Sequence, residues 1–170
     1  FERIGAKIRK SGMRVSLHPG QYTVLNSPTE DVVARAVEDL IYHDRILTAL
    51  GTDQTNKIVL HVGGIYGDKK EALQRFEQNF RRLPEAVRNR LIIENDDRLY
   101  NIEDVIGLAD RLQIPAVYDN LHHAINPPLS GGADQYWIAE AKKTWKAVDG
   151  NQKIHYSQQV PGKRPGAHTD

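Results

Sequence analysis

The sequence predicts an α/β fold, specifically an incomplete TIM (β/α)8-type barrel with about five parallel strands and five helices. Short apolar segments alternate along the chain with segments of 3.6-residue periodicity, as expected where each strand is followed by a helix. The 170 residues are too few for a closed eight-stranded barrel, which needs about 200 to 250 residues. A smaller open sheet is the alternative. We expect residues 1–170 to form a single domain.

The expected strands are short, apolar and bounded by turn residues. They are Arg14 to His18, Lys57 to Val62, Leu91 to Asn95, Ala116 to Asn120 and Lys153 to Ser157. The expected helices are Phe1 to Lys10, one between Ser27 and Gly51, Lys70 to Arg88, Asn101 to Leu112 and Ala133 to Val148. The second helix has the clearest signals, because Ser27 and Glu30 have the spacing of a capping box around Pro28, and Gly51 can end the helix.

Composition excludes several kinds of protein. The 23 basic and 22 acidic residues give a net charge of +1, so the total charge does not indicate a polyanionic partner. The absence of cysteine excludes disulfides, thiolate zinc sites and cysteine nucleophiles, and it fits a reducing compartment. Apolar runs are far shorter than the roughly 20 residues of a membrane helix, so we expect no membrane partner.

Ionisable side chains stand at the C-terminal end of every expected strand, where α/β barrels gather their sites. They are His18, His61, Glu94, Asp119 and His155, and three more histidines follow closely at His122, His123 and His168. A single histidine on a strand is usually structural. Burying several ionisable groups together is costly unless a cation compensates them, so the set favours a shared metal site. Nitrogen and oxygen ligands suit Mn, Zn or Fe, and more than four ligands indicate more than one ion, as in phosphoester hydrolysis.

Six short motifs, read together, resemble those of the UV damage endonucleases. They are HPGQY from His18, GGIYGDK from Gly63, ENDD from Glu94, DNLHH from Asp119, KIHYS from Lys153 and HTD from His168. The resemblance implies a barrel related to endonuclease IV and the xylose isomerase group. It also implies manganese-dependent nicking of DNA immediately 5′ of cyclobutane pyrimidine dimers, (6-4) photoproducts and abasic sites.

The resemblance assigns the metal ligands among the motif residues. One ion would be held by His18, His61 and Glu94, a second by Glu94, Asp119 and His155, and a third by His122 and His168. Two or three Mn²⁺ ions are therefore expected, with Zn²⁺ or Mg²⁺ as alternatives. Catalysis would involve Lys153, Glu94 and His155.

The same resemblance assigns contacts with damaged DNA to Gln21 and Tyr22, and Lys69 is expected to contact a phosphate. Two of these side chains could have a structural role instead of a DNA contact. Tyr22 could pack on the following helix, and Lys69 could cap a helix. Lys153 could extend to solvent instead of facing the site. Asn95, Asp96 and Asp97 are expected to orient ligands or to cap the next helix.

The resemblance further implies that residues 1–170 are the central to C-terminal portion of such a barrel, without its N-terminal and C-terminal segments. The family holds the second ion with an additional glutamate from a later strand, which these residues do not include, so weak binding of that ion and poor or absent cutting are expected. The expected partner is damaged double-stranded DNA, bound by a monomer in the bacterial cytoplasm at the nucleoid. The alternatives are a xylose isomerase-like sugar isomerase or epimerase, and a fragment that binds DNA without cutting it.

Overall fold

A curved sheet of parallel strands, flanked by helices, makes up the computed structural model, which describes residues 1–163 and 165–166. The strands are β1 (Ser16–Leu17), β2 (Lys57–His61), β3 (Leu91–Glu94), β4 (Ala116–Asp119) and β5 (Ile154–His155). The helices are α1 (Glu2–Ser11), α2 (Glu30–Ala49), α3 (Lys69–Arg82), α4 (Glu85–Arg90), α5 (Ile102–Leu112), α6 (Asn120–Ile125) and α7 (Asp134–Lys143), with a 3₁₀ turn at Ala147–Asp149. The five parallel strands and their helices confirm the incomplete TIM barrel.

Each strand pairs with the next one along the chain, in the order β1-β2-β3-β4-β5. His61 lies opposite Glu94 in the register, but Glu94 lies opposite Val117, two residues before the end of β4. Asp119, at the end of β4, lies opposite His155. A stagger between neighbouring strands tilts them, as barrel geometry requires, and brings their C-terminal ends to one rim.

The strands separate two apolar layers. Residues such as Leu60, Ile93 and Tyr118 face outward and belong to the large core shared with the helices. Val59, Ile92 and Val117 face the barrel interior, where Trp145 packs against them. Because side chains alternate along a strand, the residues two positions after these three also face inward. Those residues are His61, Glu94 and Asp119.

The helix count is the main difference from the sequence prediction: the described residues contain seven α-helices rather than five. The helix expected over Lys70 to Arg88 is divided into α3 and α4. Leu83 is extended, with φ −63° and ψ 148°, because a residue before proline is disfavoured in the helical region and Pro84 follows. The short α6, directly after β4, was not predicted.

The boundaries of other elements also moved. The capping box at Ser27 was wrong, because α2 begins at Glu30 after Thr29. Ser27 instead accepts a hydrogen bond at its Oγ from the Thr29 N–H, at 3.1 Å, in a local turn. The predicted end at Gly51 is confirmed, since Gly51 follows the last helical turn with a φ of +66°. Helix α7 ends at Lys143, before the expected Val148, and no helix in the described residues is long and apolar enough to cross a membrane.

Candidate metal centre

A cleft of about 350 Å³ opens at the C-terminal rim of the sheet, and ionisable side chains dominate its walls. Its lining comprises His18, His61, Glu94, Asp119, His122, Ile154, His155, Tyr156 and Ser157. Six of the seven side chains expected to bind metal therefore meet in one place. The seventh, His168, lies outside the described residues.

Glu94 occupies the centre of this cluster. Its side chain is only 3% exposed, its Oε1 accepts a hydrogen bond from His155 Nδ1 at 2.5 Å, and its Oε2 lies 3.6 Å from His61 Nε2. Burial raises the pKa of the carboxyl, but the hydrogen bond from His155 and the nearby His61 outweigh that effect and leave the pKa of Glu94 below its usual value. Glu94 is therefore held as a carboxylate, the form that binds a cation.

Glu94, Asp119 and His155 form a set of ligands that fits a divalent cation. Each offers one ligand atom, and these atoms all lie within 4.8 Å of one another. Glu94 and Asp119 are 2% and 4% exposed, so two carboxylates are desolvated side by side. Such an arrangement needs positive charge for compensation, and oxygen and imidazole donors without sulfur suit Mn²⁺, Mg²⁺ or Zn²⁺.

The four histidines of the cleft form two ring contacts across it. The rings of His18 and His155 have centroids 4.9 Å apart, and those of His61 and His122 lie 5.5 Å apart. Burial lowers the pKa of His18, and neighbouring His155 and Lys153 lower it further, although Glu94 opposes them. His18 is thereby favoured in its neutral form, which is the metal-binding form.

His122 and its neighbour His123 point in opposite directions because both lie in the short helix α6. His122 Nδ1 lies 2.8 Å from the carbonyl oxygen of Asn95, an arrangement in which Nδ1 donates and Nε2 keeps its lone pair. His123 is buried outside the barrel, against Tyr118 and Trp137. The sequence predicted both histidines to lie near the site, but the turn of helix α6 places His122 in the cleft and His123 outside it.

Lys153 lies inside the barrel, beneath the cleft. Its Nζ donates to Ser16 Oγ at 2.7 Å, and both residues line a small interior cavity. Burial lowers the pKa of Lys153, and Arg14 adds to this, whereas Glu94 opposes it. The alternative in which this lysine extends to solvent is not what the structure has.

The residues expected to contact DNA lie in different surroundings. Gln21 and Tyr22 form a turn after β1, and Tyr22 is 82% exposed, which excludes its packing on the next helix. Lys69 does not line the cleft: its Nζ lies 2.5 Å from Asp104 and over the ring of Tyr100. Its capping alternative is also wrong, since Asp68 caps α3.

Sequence reasoning missed three residues around the cleft. Tyr156 and Ser157 line it directly, and Tyr156 is 77% exposed. Ser16 was missed because a serine at the start of a two-residue strand carries no pattern. The only available signal for Tyr156 and Ser157 was their position just after His155.

Comparisons with known proteins agree on one family. The whole chain, residues 1–170, matches the model of UV-endonuclease UvdE. The chain is 43% identical to the UV DNA damage endonuclease of Clostridium perfringens over 99% of its own length and 41% of that protein. It is 39% identical to the UV-damage endonuclease of Schizosaccharomyces pombe, over 100% of the chain and 30% of the relative. The chain thus spans about half or less of these relatives.

Solved structures show the same relationship. The crystal structure of SacUVDE superposes with a TM-score of 0.91 and 40% identity, over 98% of this chain and 55% of that one. A D-psicose 3-epimerase from Clostridium cellulolyticum H10 matches with a TM-score of 0.66 but 15% identity, over 95% of this chain and 60% of the other. This second likeness shows the barrel fold alone. Together, the full-length family match and the relatives above 30% identity establish that the chain belongs to the UV-endonuclease UvdE family.

Proposed function

We propose that these residues form the metal-binding part of a DNA repair endonuclease, which hydrolyses a phosphodiester immediately 5′ of UV photoproducts and abasic sites. The observation that carries the proposal is the cluster of Glu94, Asp119 and His155, whose ligand atoms lie within 4.8 Å of one another in a chain of the UvdE family. Action on DNA would place the protein at the bacterial nucleoid, in the cytoplasm, and one chain is sufficient to form the cleft.

The cleft residues would hold two or three Mn²⁺ ions. Glu94 would bridge one ion shared with His18 and His61 and a second shared with Asp119 and His155, while His122 would hold a third together with His168. When bound, such cations activate water at neutral pH and stabilise the charge on the leaving oxygen.

The chain's own side chains orient this site and neutralise charge in it. Glu94 holds the His155 ring through their 2.5 Å hydrogen bond. Lys153, beneath the cleft and fixed by Ser16, supplies a positive charge below Glu94, where it would offset part of the negative charge of the ligands.

Lesion recognition would depend on the turn after β1. The Tyr22 ring is 82% exposed and therefore free to enter a duplex. A photodimer or abasic site stacks poorly, so it costs less to displace than an intact base pair, and an inserted aromatic ring replaces some of the lost stacking. Gln21 would take part beside it, and Lys69 would contact a phosphate only after leaving Asp104.

Incision of supercoiled plasmid tests the proposal. We expect slow nicking of UV-irradiated plasmid with Mn²⁺, none with a chelator, and none of unirradiated plasmid. Glu94→Gln should abolish the nicking, while the surface variant Glu140→Gln should retain it. Equal nicking of irradiated and unirradiated plasmid, or nicking that survives chelation, would contradict the proposal.

A second candidate is a fragment that binds damaged DNA without cutting it. It is favoured by the chain's coverage of only 41% and 30% of the two relatives described above, so ligands from their remaining residues are not among these. Binding of irradiated duplex without nicking, in the same experiment, would select this candidate. A thermal shift with ketohexoses but none with DNA would instead favour the sugar epimerase alternative.

A further inference from the structure

The two strands that end in a buried carboxylate share a pattern, because an asparagine follows the acid in each. Glu94 is followed by Asn95 at the end of β3, and Asp119 by Asn120 at the end of β4. Since side chains alternate along the chain direction, these asparagines do not enter the cleft beside the acids. Asn95 is completely buried, at 0% exposure.

The Asn95 side chain binds the main chain of the neighbouring strand with both of its polar atoms. Its Nδ2 donates to the carbonyl oxygen of Asp119 at 3.1 Å, and its Oδ1 accepts from the Asp119 N–H at 2.8 Å. Asn120 repeats this arrangement one strand further on, with the carbonyl oxygen of Ser157 at 3.1 Å and its N–H at 2.8 Å.

Each asparagine thus takes the place of a peptide group in the sheet. The backbone register between β3 and β4 reaches Glu94 opposite Val117, two residues before Asp119. The Asn95 amide continues the pairing to Asp119. A side-chain amide carries a donor and an acceptor on two atoms of one plane, as a peptide group does, whereas a carboxylate cannot donate and an alkyl group can do neither.

Asn95 is also connected to His122. The main-chain carbonyl oxygen of Asn95 lies 2.8 Å from His122 Nδ1. The main-chain N–H of His122 donates to Asp119 Oδ1, also at 2.8 Å. Asn95 therefore contacts both the main chain of Asp119 and the ring of His122. Displacing Asn95 would move both of them.

We propose that Asn95 is a positioning residue that sets the place of Asp119 and the ring orientation of His122 for metal binding, without being a ligand itself. The inference rests on the proposed metal site. Partners that orient ligands typically change metal affinity about 10-fold to 100-fold when they are replaced.

The test compares two equivalent asparagines, with Mn²⁺ alone as the probe. Asn95→Asp should weaken Mn²⁺ binding about 10-fold to 100-fold, measured from the electron paramagnetic resonance signal of free Mn²⁺. Asn120→Asp is the matched control, because it removes the equivalent donor bond, from Nδ2 to the carbonyl oxygen of Ser157, which lies two residues beyond His155. We expect it to lose stability as Asn95→Asp does, yet to bind Mn²⁺ with an affinity close to that of the wild type.

One further measurement and one substitute variant make the result decisive. Ring ¹⁵N signals of His122 in the metal-free protein should show a proton on Nδ1 in the wild type. Asn95→Asp should show a mixture of tautomers, because loss of the Nδ2 bond to Asp119 would shift the main-chain carbonyl of Asn95 that accepts this proton. If that variant does not fold, Asn95→Ala is used instead, because a water molecule can occupy the space and bind the exposed peptide.

Three results would overturn the inference in distinguishable ways. Wild-type affinity in the Asn95 variants would overturn this inference alone. An equal loss in Asn120→Asp would reduce Asn95 to a general stabilising residue. Failure of the wild type itself to bind Mn²⁺ would overturn the proposed metal site, and this inference with it.

Discussion

Replacing Glu94 with glutamine removes one charge from the centre of the cleft and changes its shape little. The carboxylate is 3% exposed and contacts His155 and His61. Without metal, the variant loses the charged partner of His155, so its metal-free unfolding temperature is the baseline against which its Mn²⁺ shift is measured. At an Mn²⁺ concentration of about 100 times Kd, binding stabilises the wild-type fold by about 2.7 kcal/mol. For a chain of this size, that energy raises the unfolding temperature by about 5 to 11 °C.

The variant should lose almost all of this increase. If the loss of a shared ligand weakens binding by at least about 100-fold, the same Mn²⁺ concentration corresponds to one Kd. The stabilisation then falls to about 0.4 kcal/mol, or about 1 °C. Scanning calorimetry with Mn²⁺ and with chelator measures both values, and Glu140→Gln on α7 serves as the control. A full Mn²⁺ shift in Glu94→Gln would refute the central position assigned to this carboxylate.

Three other substitutions test separate parts of the structure. Asp149→Asn leaves the buried Lys57 ammonium, 2.6 Å away, without its counter-charge and should cost about 3 to 5 kcal/mol in urea unfolding at pH 7. Burial lowers the pKa of Lys57 below 10.5, so the folded protein loses this proton at a lower pH than the unfolded chain does. The loss of stability in Asp149→Asn should therefore shrink as the pH rises towards 10.5. A loss of stability that stays constant with pH would contradict this reasoning. Phe76→Ala, at a side chain with 0% exposure, should cost about 3 to 5 kcal/mol in urea unfolding and leave Mn²⁺ affinity unchanged; a cost below about 1 kcal/mol would be inconsistent with its place in the core. Tyr22→Ala should change the free energy of unfolding by less than about 0.5 kcal/mol. It should weaken binding to a duplex that contains a pyrimidine dimer by about 1 to 3 kcal/mol, measured by fluorescence anisotropy. An equal effect on intact duplex would argue against a lesion-specific contact.

The sheet and the meeting of the cleft side chains could be predicted because both depend on short-range regularities. Strands β2, β3 and β4 are short and largely buried, with apolar residues before a polar last residue, and parallel strands present their C-terminal ends at one edge. The alternation that places Val59 inside the barrel also places His61 there. Knowledge of the partner strands was not required.

Other features depend on contacts that no local pattern contains. Helix α6 has six residues and too few turns for a periodicity, and its start is stabilised by the Asp119 side chain, which also belongs to the cleft. The Lys69 side chain, expected to be available for a phosphate, instead binds Asp104, which lies 35 residues further along the chain. The hydrogen bonds of Asn95 depend on the stagger between β3 and β4, which the sequence does not reveal.

Among the described residues, no backbone ladder joins β1 and β5, the two outermost strands of the sheet. In the described part of the chain, β1 and β5 are two residues long and lie at opposite ends of the strand order, yet Lys153 reaches Ser16 and the ring of His155 approaches that of His18. Each of these two strands pairs with one neighbour among the described residues, so amide protons of β1 should exchange faster than those of β3, which pairs on both sides. The contacts of Lys153 with Ser16 and of His155 with His18 therefore link two strands that lie apart in the strand order.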